Sequence, residues 1–197
     1  MNIGIDIDDT ISDTFESAII YAKEYIREEL KREPNIDMSK VRDHYYIRDM
    51  FDLSHEEAEA FWEKYYTKII DNVQPKKFSV EMINKLKEEG NNIIIITARW
   101  NGENINAFEI SEKWLKKHNL NFDKMYVGIE NKAEIAIKED INLFIDDSIR
   151  NCEEVSAAGI KSYLFNSETN KHINQHENID RVYSWEEIYS KSKALVV

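Results

Sequence analysis

Short apolar stretches alternate with longer segments of helical periodicity along most of the chain. Five stretches have the length and the isoleucine, tyrosine and phenylalanine content of strands, and they lie at residues 2–7, 92–97, 124–128, 142–145 and 161–165. Helical patterns separate the last four strands and occupy residues 106–118, 132–140 and 149–158. Strands and helices that alternate in this way predict an α/β fold with a Rossmann-like parallel sheet, covered by helices on both faces.

The interval after the first strand departs from this alternation. Apolar residues at spacings of three and four trace one face of an amphipathic helix, at Phe15, Ile19, Ala22, Ile26 and Leu30. Ser54 and Glu57 form a capping-box pattern that begins a second helix. The predicted buried side of this helix carries Ala58, Phe61, Trp62, Tyr65 and Ile69. We therefore predict a helical cap at residues 14–75, inserted into a core formed by residues 1–13 and 76–197.

The remaining segments of the predicted core are simpler. Residues 79–89 have the pattern of a helix that leads into the second strand. Gly90 and Gly159 stand where helices are expected to stop. Residues 166–180 are polar and predict only a loop.

The composition is that of a folded globular chain. Of the 197 residues, 42% are hydrophobic and 32% are charged, which suits one domain or one core with an inserted unit. Acidic residues outnumber basic ones by 38 to 26, and the formal net charge is -12. A surface of this sign repels nucleic-acid polymers and anionic membranes, and it favours a small substrate.

Cysteine use and the amino-terminal pattern bear on cellular location. Cys152 is the single cysteine, so an intrachain disulfide is excluded, as is usual in a reducing cytosol. No apolar run approaches the roughly 18 residues of a membrane helix, and the chain begins with a strand pattern rather than a signal segment. These features predict a cytoplasmic protein without a membrane segment, and they are compatible with a homo-oligomer.

Acidic residues follow two predicted strands at the edge where parallel sheets place ligand sites. Asp6 and Asp8 lie two residues apart, so in an extended chain both point to one crevice and repel each other unless a cation lies between them. Asp146 and Asp147 close the fourth strand in the same way. An oxygen-rich set without cysteine or histidine suits Mg²⁺. The sequence therefore predicts a magnesium site at Asp6, Asp8, Asp146 and Asp147.

Groups that bind anions are expected at the same edge of the sheet. The second strand ends at Thr97, Ala98 and Arg99, which offer a hydroxyl, backbone N–H groups and a guanidinium to phosphoryl oxygens. Lys132 begins a helix after Gly128, and its ammonium would offset negative charge in a phosphoryl-transfer transition state. Thr97, Ala98, Arg99 and Lys132 are therefore the predicted phosphate-binding residues.

These motifs, taken in order, resemble those of the haloacid dehalogenase superfamily. Its four motifs correspond to residues 6–10, Thr97, Lys132 and the Asp146–Asp147 pair, and the resemblance covers nearly the whole chain. The helical insert is similar to the first-position cap of that superfamily. The combination resembles the 5'(3')-deoxyribonucleotidase-like branch and its bacterial nucleotidases. The superfamily often has glycine where this chain has Asp9, and the sequence assigns Asp9 no role.

The resemblance implies a Mg²⁺-dependent phosphomonoester hydrolase that acts on a small substrate, a nucleoside monophosphate. Asp6 would attack phosphorus, form an aspartyl-phosphate and also bind the metal. Asp8 would serve as general acid and base, while its backbone carbonyl binds the metal. Asp147 is the preferred third ligand, and Asp146 would be either a second ligand or a residue that supports the ligands.

Aromatic residues near the predicted site are candidates for contact with the substrate. Tyr45, Tyr46 and Phe51 lie off the helical stripes of the cap, and Trp100 adjoins Arg99, so these four are predicted to touch the substrate. The other cap aromatics are expected to belong mostly to the core, and they are Phe15, Trp62, Tyr65 and Tyr66.

Other protein classes fit the sequence less well. A receiver-type phosphoacceptor domain has its lysine last and no helical insert, whereas Lys132 precedes Asp146. The chain lacks the GxxxxGK(S/T) and GxGxxG motifs of nucleotide-binding loops. A sugar-phosphate or other small-metabolite phosphatase stays open as the alternative substrate class. A non-catalytic protein that binds phosphoryl ligands on the same fold stays open as the alternative of another class.

Overall fold

Isoleucine-rich segments form the centre of one parallel sheet. The computed structural model describes residues 1–41, 47–102, 105–174 and 178–195. Within these ranges the strands are β1 (Asn2–Ile5), β2 (Asn92–Thr97), β3 (Lys124–Val127), β4 (Leu143–Asp146), β5 (Lys161–Phe165) and β6 (Ile179–Val182). Neighbouring strands all pair in parallel, in the order β3-β2-β1-β4-β5-β6. The predicted α/β fold with a Rossmann-like parallel sheet is confirmed.

The edge strand β6 corrects one sequence-based prediction. Residues 166–180 are predicted to be only a loop, but β6 begins at Ile179 and pairs with β5. Ile179 and Val182 are buried, and the polar residues Asp180 and Arg181 separate them. Two apolar residues in four positions form a pattern too short to distinguish an edge strand from a loop.

Alternate side chains of the central strands enter hydrophobic clusters on opposite faces of the sheet. Ile93 and Ile95 pack in a cluster with residues of α4 (Ser79–Glu88), α5 (Ala107–Lys117) and α8 (Trp185–Lys193). Ile94 and Ile96 pack in another cluster, with residues of α6 (Lys132–Lys138) and α7 (Ile149–Ala157). A strand that is covered on both faces has no polar side, which explains the run of four isoleucines in β2.

Between β1 and α4, the described residues form three helices and a short 3₁₀ turn, which we call the helical unit. They are α1 (Thr14–Glu28), the 3₁₀ turn Met38–Lys40, α2 (Ile47–Phe51) and α3 (His55–Asn72). The unit has its own hydrophobic cluster, which includes Phe15, Tyr25, Phe61 and Tyr65. Helix α3 begins with the predicted capping box, in which Ser54 Oγ accepts from the Glu57 N–H at 3.2 Å and Glu57 Oε2 accepts from the Ser54 N–H at 2.9 Å.

The carboxyl ends of three strands bring predicted site residues to one edge of the sheet. Asp6 directly follows β1, and its N–H donates to Ile145 O of β4 at 3.0 Å. Thr97 ends β2, and Asp146 ends β4. Beyond Asp6 the chain turns at Asp9, which has φ 59, and then enters α1. The helical unit therefore leaves the sheet directly beside these residues.

Candidate active site

A buried lysine links two of the carboxylates at this edge. Lys132 Nζ donates to Asp6 Oδ1 at 2.5 Å and to Asp146 Oδ2 at 2.7 Å. Asp147 lies beside them, and one oxygen from each of Asp6, Asp146 and Asp147 falls within 4.8 Å of the others. All four side chains are buried. Lys132, which the sequence places in a phosphate-binding role, therefore holds the carboxylates together in this structure.

Ionisation of the carboxyl groups in this cluster is unfavourable even with Lys132 beside them. Burial raises the pKa of Asp6 to about 8; Lys132 opposes the change, while Asp146 and Asp8 add to it. Burial also raises the pKa of Asp147 well above its usual range, and the nearby Asp9 carboxylate contributes. Because burial and the neighbouring carboxylates disfavour the ionised forms, a cation bound at the cluster would favour ionisation.

The donor set of this cluster fits a hard divalent cation. Among the described residues, three carboxylate groups meet there without a histidine or cysteine, and an all-oxygen donor set suits a hard divalent cation. Asp6, Asp146 and Asp147 of the predicted ligands contribute side-chain oxygens to the cluster. The Asp8 side chain is paired with Arg99 and Thr14, and a metal contact through its backbone carbonyl stays a prediction.

The Asp8 carboxylate is held by Arg99 in a two-point ion pair. Arg99 donates from Nε to Asp8 Oδ2 at 2.9 Å and from Nη2 to Oδ1 at 2.8 Å, and the Thr14 hydroxyl donates to Oδ1 at 2.7 Å. Burial acts to raise the pKa of Asp8, but Arg99 and Thr14 outweigh it and hold that pKa below its usual value. Asp8 is therefore fixed in one orientation as a carboxylate.

The remaining contacts of Arg99 also point away from a free phosphate-binding role. Its side chain is 2% exposed, and Nη1 donates to Ser111 Oγ at 3.2 Å. The guanidinium lies 5.9 Å from the ring centre of Trp114. The sequence predicts Arg99 as a phosphate-binding residue, whereas the structure places its guanidinium on Asp8 and Ser111. Sequence spacing does not reveal this pair because Asp8 follows β1 whereas Arg99 follows β2.

A cavity of about 320 Å³ opens at this edge of the sheet, between the sheet and the helical unit. Asp6, Asp8, Lys132 and the Asp146–Asp147 pair line it together with Thr97, Ala98 and Arg99. Its volume is at the small end of the range typical of ligand sites, roughly 300–1,000 Å³. The structure thus brings all predicted catalytic, metal-binding and phosphate-binding residues to one cavity.

Three aromatic side chains form one wall of this cavity, and we call them the aromatic wall. Trp62 and Tyr66 come from α3, and Trp100 comes from the loop after β2. The ring centres of Tyr66 and Trp100 are 4.3 Å apart, and those of Trp62 and Trp100 are 6.0 Å apart. Trp62 packs against the hydrophobic cluster of the helical unit and Tyr66 is buried, as expected for most of the cap aromatics, but both also line the cavity. Helical spacing does not distinguish a buried face from a cavity wall.

The other predicted substrate contacts have different positions. Trp100 lines the cavity and is 50% exposed. Phe51 is buried in the hydrophobic cluster of the helical unit and is not among the residues that line the cavity. A direct contact with a ligand in this cavity is therefore not supported for Phe51. Tyr45 and Tyr46 lie outside the described residues.

Further residues that support the carboxylates follow the acidic pair in the sequence. The Ser148 N–H donates to Asp146 Oδ1 at 2.8 Å, and Asn151 Nδ2 donates to Asp146 Oδ2 at 3.0 Å. Ser167 Oγ donates to Asp147 Oδ2 at 3.3 Å. The sequence analysis does not identify these residues. Ser148 caps α7 and Asn151 lies three residues later, so a cap pattern directly after an acidic pair is the signal that could have found them.

Asp9 has a local structural role. Its φ of 59 lies in the left-handed region, where glycine is favoured and aspartate is tolerated. This geometry explains why the superfamily often has glycine at the corresponding position. Asp9 Oδ1 accepts from the Phe15 N–H at 2.8 Å and so holds the start of α1.

The fold and the carboxylate cluster together define a phosphomonoester hydrolase with the haloacid dehalogenase fold. A haloacid dehalogenase-like hydrolase from Streptococcus pneumoniae has a similar structure, with a TM-score of 0.68 at 16% identity over 97% of each chain. A superfamily hydrolase from Geobacter sulfurreducens has a TM-score of 0.65 at 16% identity, over 96% of this chain and 95% of its own. Both likenesses concern the fold.

The family is defined by sequence. The chain belongs to the family described as 5' nucleotidase, deoxy (pyrimidine), cytosolic type C protein, whose model matches residues 1–195. A Clostridium acetobutylicum protein named as a nucleotidase is 32% identical over 96% of this chain and 92% of its own length. Among the helices of the described residues, none has the length and apolar character needed to cross a bilayer.

Proposed function

We propose that the chain hydrolyses nucleoside monophosphates in a Mg²⁺-dependent reaction that passes through an aspartyl-phosphate on Asp6. The observation that carries the proposal is the buried cluster of Asp6, Asp146, Asp147 and Lys132, which lines a cavity with an aromatic wall. The family description, which names a 5' nucleotidase, supports the substrate class. The single buried Cys152 supports a cytoplasmic location.

The metal would be held by Asp6, Asp146 and Asp147, with the backbone carbonyl of Asp8 as a further ligand. Bound Mg²⁺ would neutralise the carboxylates and polarise the phosphoryl oxygens. The charge of the cluster supports this assignment, because burial raises the pKa of Asp6 to about 8 and a protonated carboxyl group is a poor nucleophile. A cation beside Asp6 favours the ionised form that attack on phosphorus requires.

In the first half-reaction, an ionised Asp6 oxygen attacks phosphorus and the ester bond to the leaving oxygen breaks. Protonated Asp8 gives its proton to that oxygen, so the alcohol leaves neutral. The approach of a dianionic phosphoryl group raises the pKa of Asp8 through like-charge repulsion, which favours the protonated form. Arg99 and Thr14 orient the Asp8 carboxyl group for this transfer.

In the second half-reaction, a water molecule attacks phosphorus and gives a proton to the Asp8 carboxylate. The bond between phosphorus and Asp6 then breaks, which releases inorganic phosphate and restores the Asp6 carboxylate. Lys132 keeps Asp6 in place through its 2.5 Å contact. The proton that Asp8 takes from the water replaces the proton that left with the alcohol, so the cycle restores the protonated Asp8.

Phosphoryl oxygens would meet Thr97 and Ala98, which line the cavity at the end of β2. A hydroxyl and successive backbone N–H groups suit this contact. Arg150 also lines the cavity, and its side chain is 55% exposed. Its ion pair with Glu154 is long, with 4.0 Å between Nε and Oε1. In a chain of net charge -12, an exposed cation at the cavity favours the approach of a dianion.

The aromatic wall supplies a surface for the nucleobase. Stacking of one base on an aromatic side chain contributes roughly 1–3 kcal/mol and tolerates different bases. Trp100 is half exposed and borders Trp62 and Tyr66, so one face of the wall is open to a ligand. This surface favours nucleotides over phosphorylated sugars that lack an aromatic group.

The proposal is tested by phosphate release from a panel of nucleoside monophosphates, sugar phosphates and p-nitrophenyl phosphate, with Mg²⁺ and with EDTA. Nucleotide turnover should require Mg²⁺, and Asp6→Asn should lower it by at least about a thousandfold, because the variant lacks the nucleophile. Asp140→Asn is the matched control, since Asp140 is exposed and its φ of 49 suits asparagine.

Each outcome of the panel has a defined meaning. Preference for sugar phosphates would keep the mechanism and replace the substrate class. Mg²⁺-dependent turnover that survives in Asp6→Asn would contradict the assigned nucleophile. Absence of turnover on every ester would favour a protein that binds phosphoryl ligands without hydrolysing them.

A further inference from the structure

Tyr66 places a polar group of the helical unit inside the reaction site. The residue is 4% exposed, and its ring packs 4.3 Å from the ring of Trp100. Among the described residues, the buried Tyr66 hydroxyl has no acceptor for its proton. A buried hydroxyl whose proton has no acceptor is unfavourable, and such groups are uncommon in native structures.

The charged groups near this hydroxyl belong to the reaction site. Burial raises the pKa of Tyr66, the Asp8 carboxylate raises it further, and Arg99 lowers it, so the phenol lies within electrostatic reach of the Asp8–Arg99 pair. The backbone N–H of Trp100 also acts on the phenolic oxygen. That N–H is itself a donor, so the proton of the Tyr66 hydroxyl still lacks an acceptor.

Both oxygens of the Asp8 carboxylate already accept hydrogen bonds from the protein. It accepts two bonds from Arg99 and one from Thr14, which fixes its orientation. In the proposed reaction the leaving oxygen of the substrate must lie against Asp8. Asp8 and Tyr66 line the same cavity, so the alcohol part of such a substrate would lie beside Tyr66 and would supply an acceptor for its hydroxyl.

We infer that the Tyr66 hydroxyl is a specificity-determining donor that binds a sugar oxygen of the leaving nucleoside, next to the ester bond. The assignment deepens the proposed function and rests on it. It gives the helical unit a polar contact with the substrate, in addition to the apolar surface of the aromatic wall. An ester whose alcohol has no oxygen close to the scissile bond would not use this contact, and p-nitrophenyl phosphate is such an ester because its nitro group lies on the far side of the ring.

The test replaces one atom. Tyr66→Phe keeps the ring that packs on Trp100 and removes only the hydroxyl. The ratio of kcat/KM for nucleoside monophosphates to kcat/KM for p-nitrophenyl phosphate should fall roughly three- to tenfold, the effect of losing one neutral hydrogen bond. The melting temperature without ligand should stay equal or rise, because a hydroxyl without a partner has been removed.

Tyr65→Phe is the matched control. Tyr65 is the neighbouring residue on α3, is 2% exposed and packs within the hydrophobic cluster of the helical unit. It should leave the substrate ratio unchanged. An unchanged ratio in Tyr66→Phe, or an equal fall for both classes of ester, would overturn the assignment to a sugar oxygen.

A binding measurement separates failure of this inference from failure of the proposed function. Asp6→Asn cannot form the aspartyl-phosphate, so thymidine monophosphate can be titrated against it while tryptophan fluorescence is followed. Addition of Tyr66→Phe to this variant should weaken binding roughly three- to tenfold. Equal affinity in both variants would overturn the inference even if the wild-type protein hydrolyses nucleotides. Weaker binding in the double variant would support it even if turnover is absent.

Discussion

At the scale of single residues, the ion pair between Asp8 and Arg99 fixes the orientation of the proposed general acid and base. A guanidinium that binds both oxygens of a carboxylate fixes its plane as well as its charge. In the proposed reaction, Arg99 would therefore act on the substrate through Asp8. Arg99 could instead bind the phosphate of the substrate directly. A double-mutant cycle with Asp8 gives different results for these two roles of Arg99.

Arg99→Lys should lower kcat/KM by roughly 10- to 100-fold, because lysine retains the charge but loses the two-point geometry. Asp8→Asn should lower it by about 10²–10⁴-fold, since it removes the general acid and base. In the Asp8→Asn background, Arg99→Lys should have little further effect. Steady-state kinetics of the four proteins measure the coupling, and additive losses would show that Arg99 acts on the phosphate directly.

The same residues show how much of the site the sequence can predict. Six site residues are recognisable because each lies at or after the carboxyl end of a strand, and parallel strands end at one edge. They are Asp6, Asp8, Thr97, Lys132, Asp146 and Asp147. The partners of these residues are not recognisable. Lys132 binds the carboxylates of Asp6 and Asp146, and its contact with Asp6 spans 126 positions in sequence. Pairing across such a distance depends on tertiary packing, which local patterns do not encode.

At the scale of elements, α3 connects stability with substrate contact. One side of the helix contributes Phe61 and Tyr65 to the cluster of the helical unit, while Trp62 and Tyr66 line the cavity. Sequence periodicity predicts the helix and its capping box correctly, but it cannot separate these two faces. Both are apolar and aromatic, so their difference arises from where the sheet lies.

The capping box at the start of α3 should contribute measurably to stability. Ser54→Ala removes the acceptor for the Glu57 N–H, so the free energy of unfolding should fall by about 1 kcal/mol. Denaturant unfolding followed by circular dichroism measures the change. Ser190→Ala, at an exposed position inside α8, is the control and should change stability little. Equal effects of the two substitutions would argue against a stabilising cap.

At the scale of the whole molecule, negative charge is concentrated where the sheet meets the helical unit. The chain carries a net charge of -12, and Asp6, Asp9 and Asp147 are all buried near one edge. Burial is the largest cause of the raised pKa of each of them. The folded state without metal therefore holds protons that the unfolded state releases, which links stability to pH and to cations.

Melting curves in EDTA should show this linkage. The pKa is about 8 for folded Asp6 and about 7 for folded Asp9, against 3.8 for an ordinary aspartate. Between about pH 4 and pH 8 the folded state binds more protons than the unfolded state, so stability should fall as pH rises through this window. We expect the melting temperature to fall by roughly 5–10 °C from pH 5 to pH 8.

Mg²⁺ should reduce this dependence, because it binds the ionised carboxylates and stabilises the folded state most at high pH. The comparison requires the same buffers with EDTA and with Mg²⁺. A melting temperature in EDTA that rises from pH 5 to pH 8 would show that these carboxylates are not destabilising when ionised. A metal effect of equal size at both pH values would argue against binding at this cluster.

The central claim is that the phosphoryl group of the substrate is transferred to Asp6, which forms a covalent aspartyl-phosphate. The most direct measurement is mass spectrometry of the protein after rapid acid quenching during turnover of a nucleoside monophosphate with Mg²⁺, followed by peptide mapping. The account predicts one phosphoryl group on Asp6, present in the wild-type protein and absent from Asp6→Asn. Turnover without a phosphorylated peptide at any quench time, or a phosphoryl group on another residue, would contradict it.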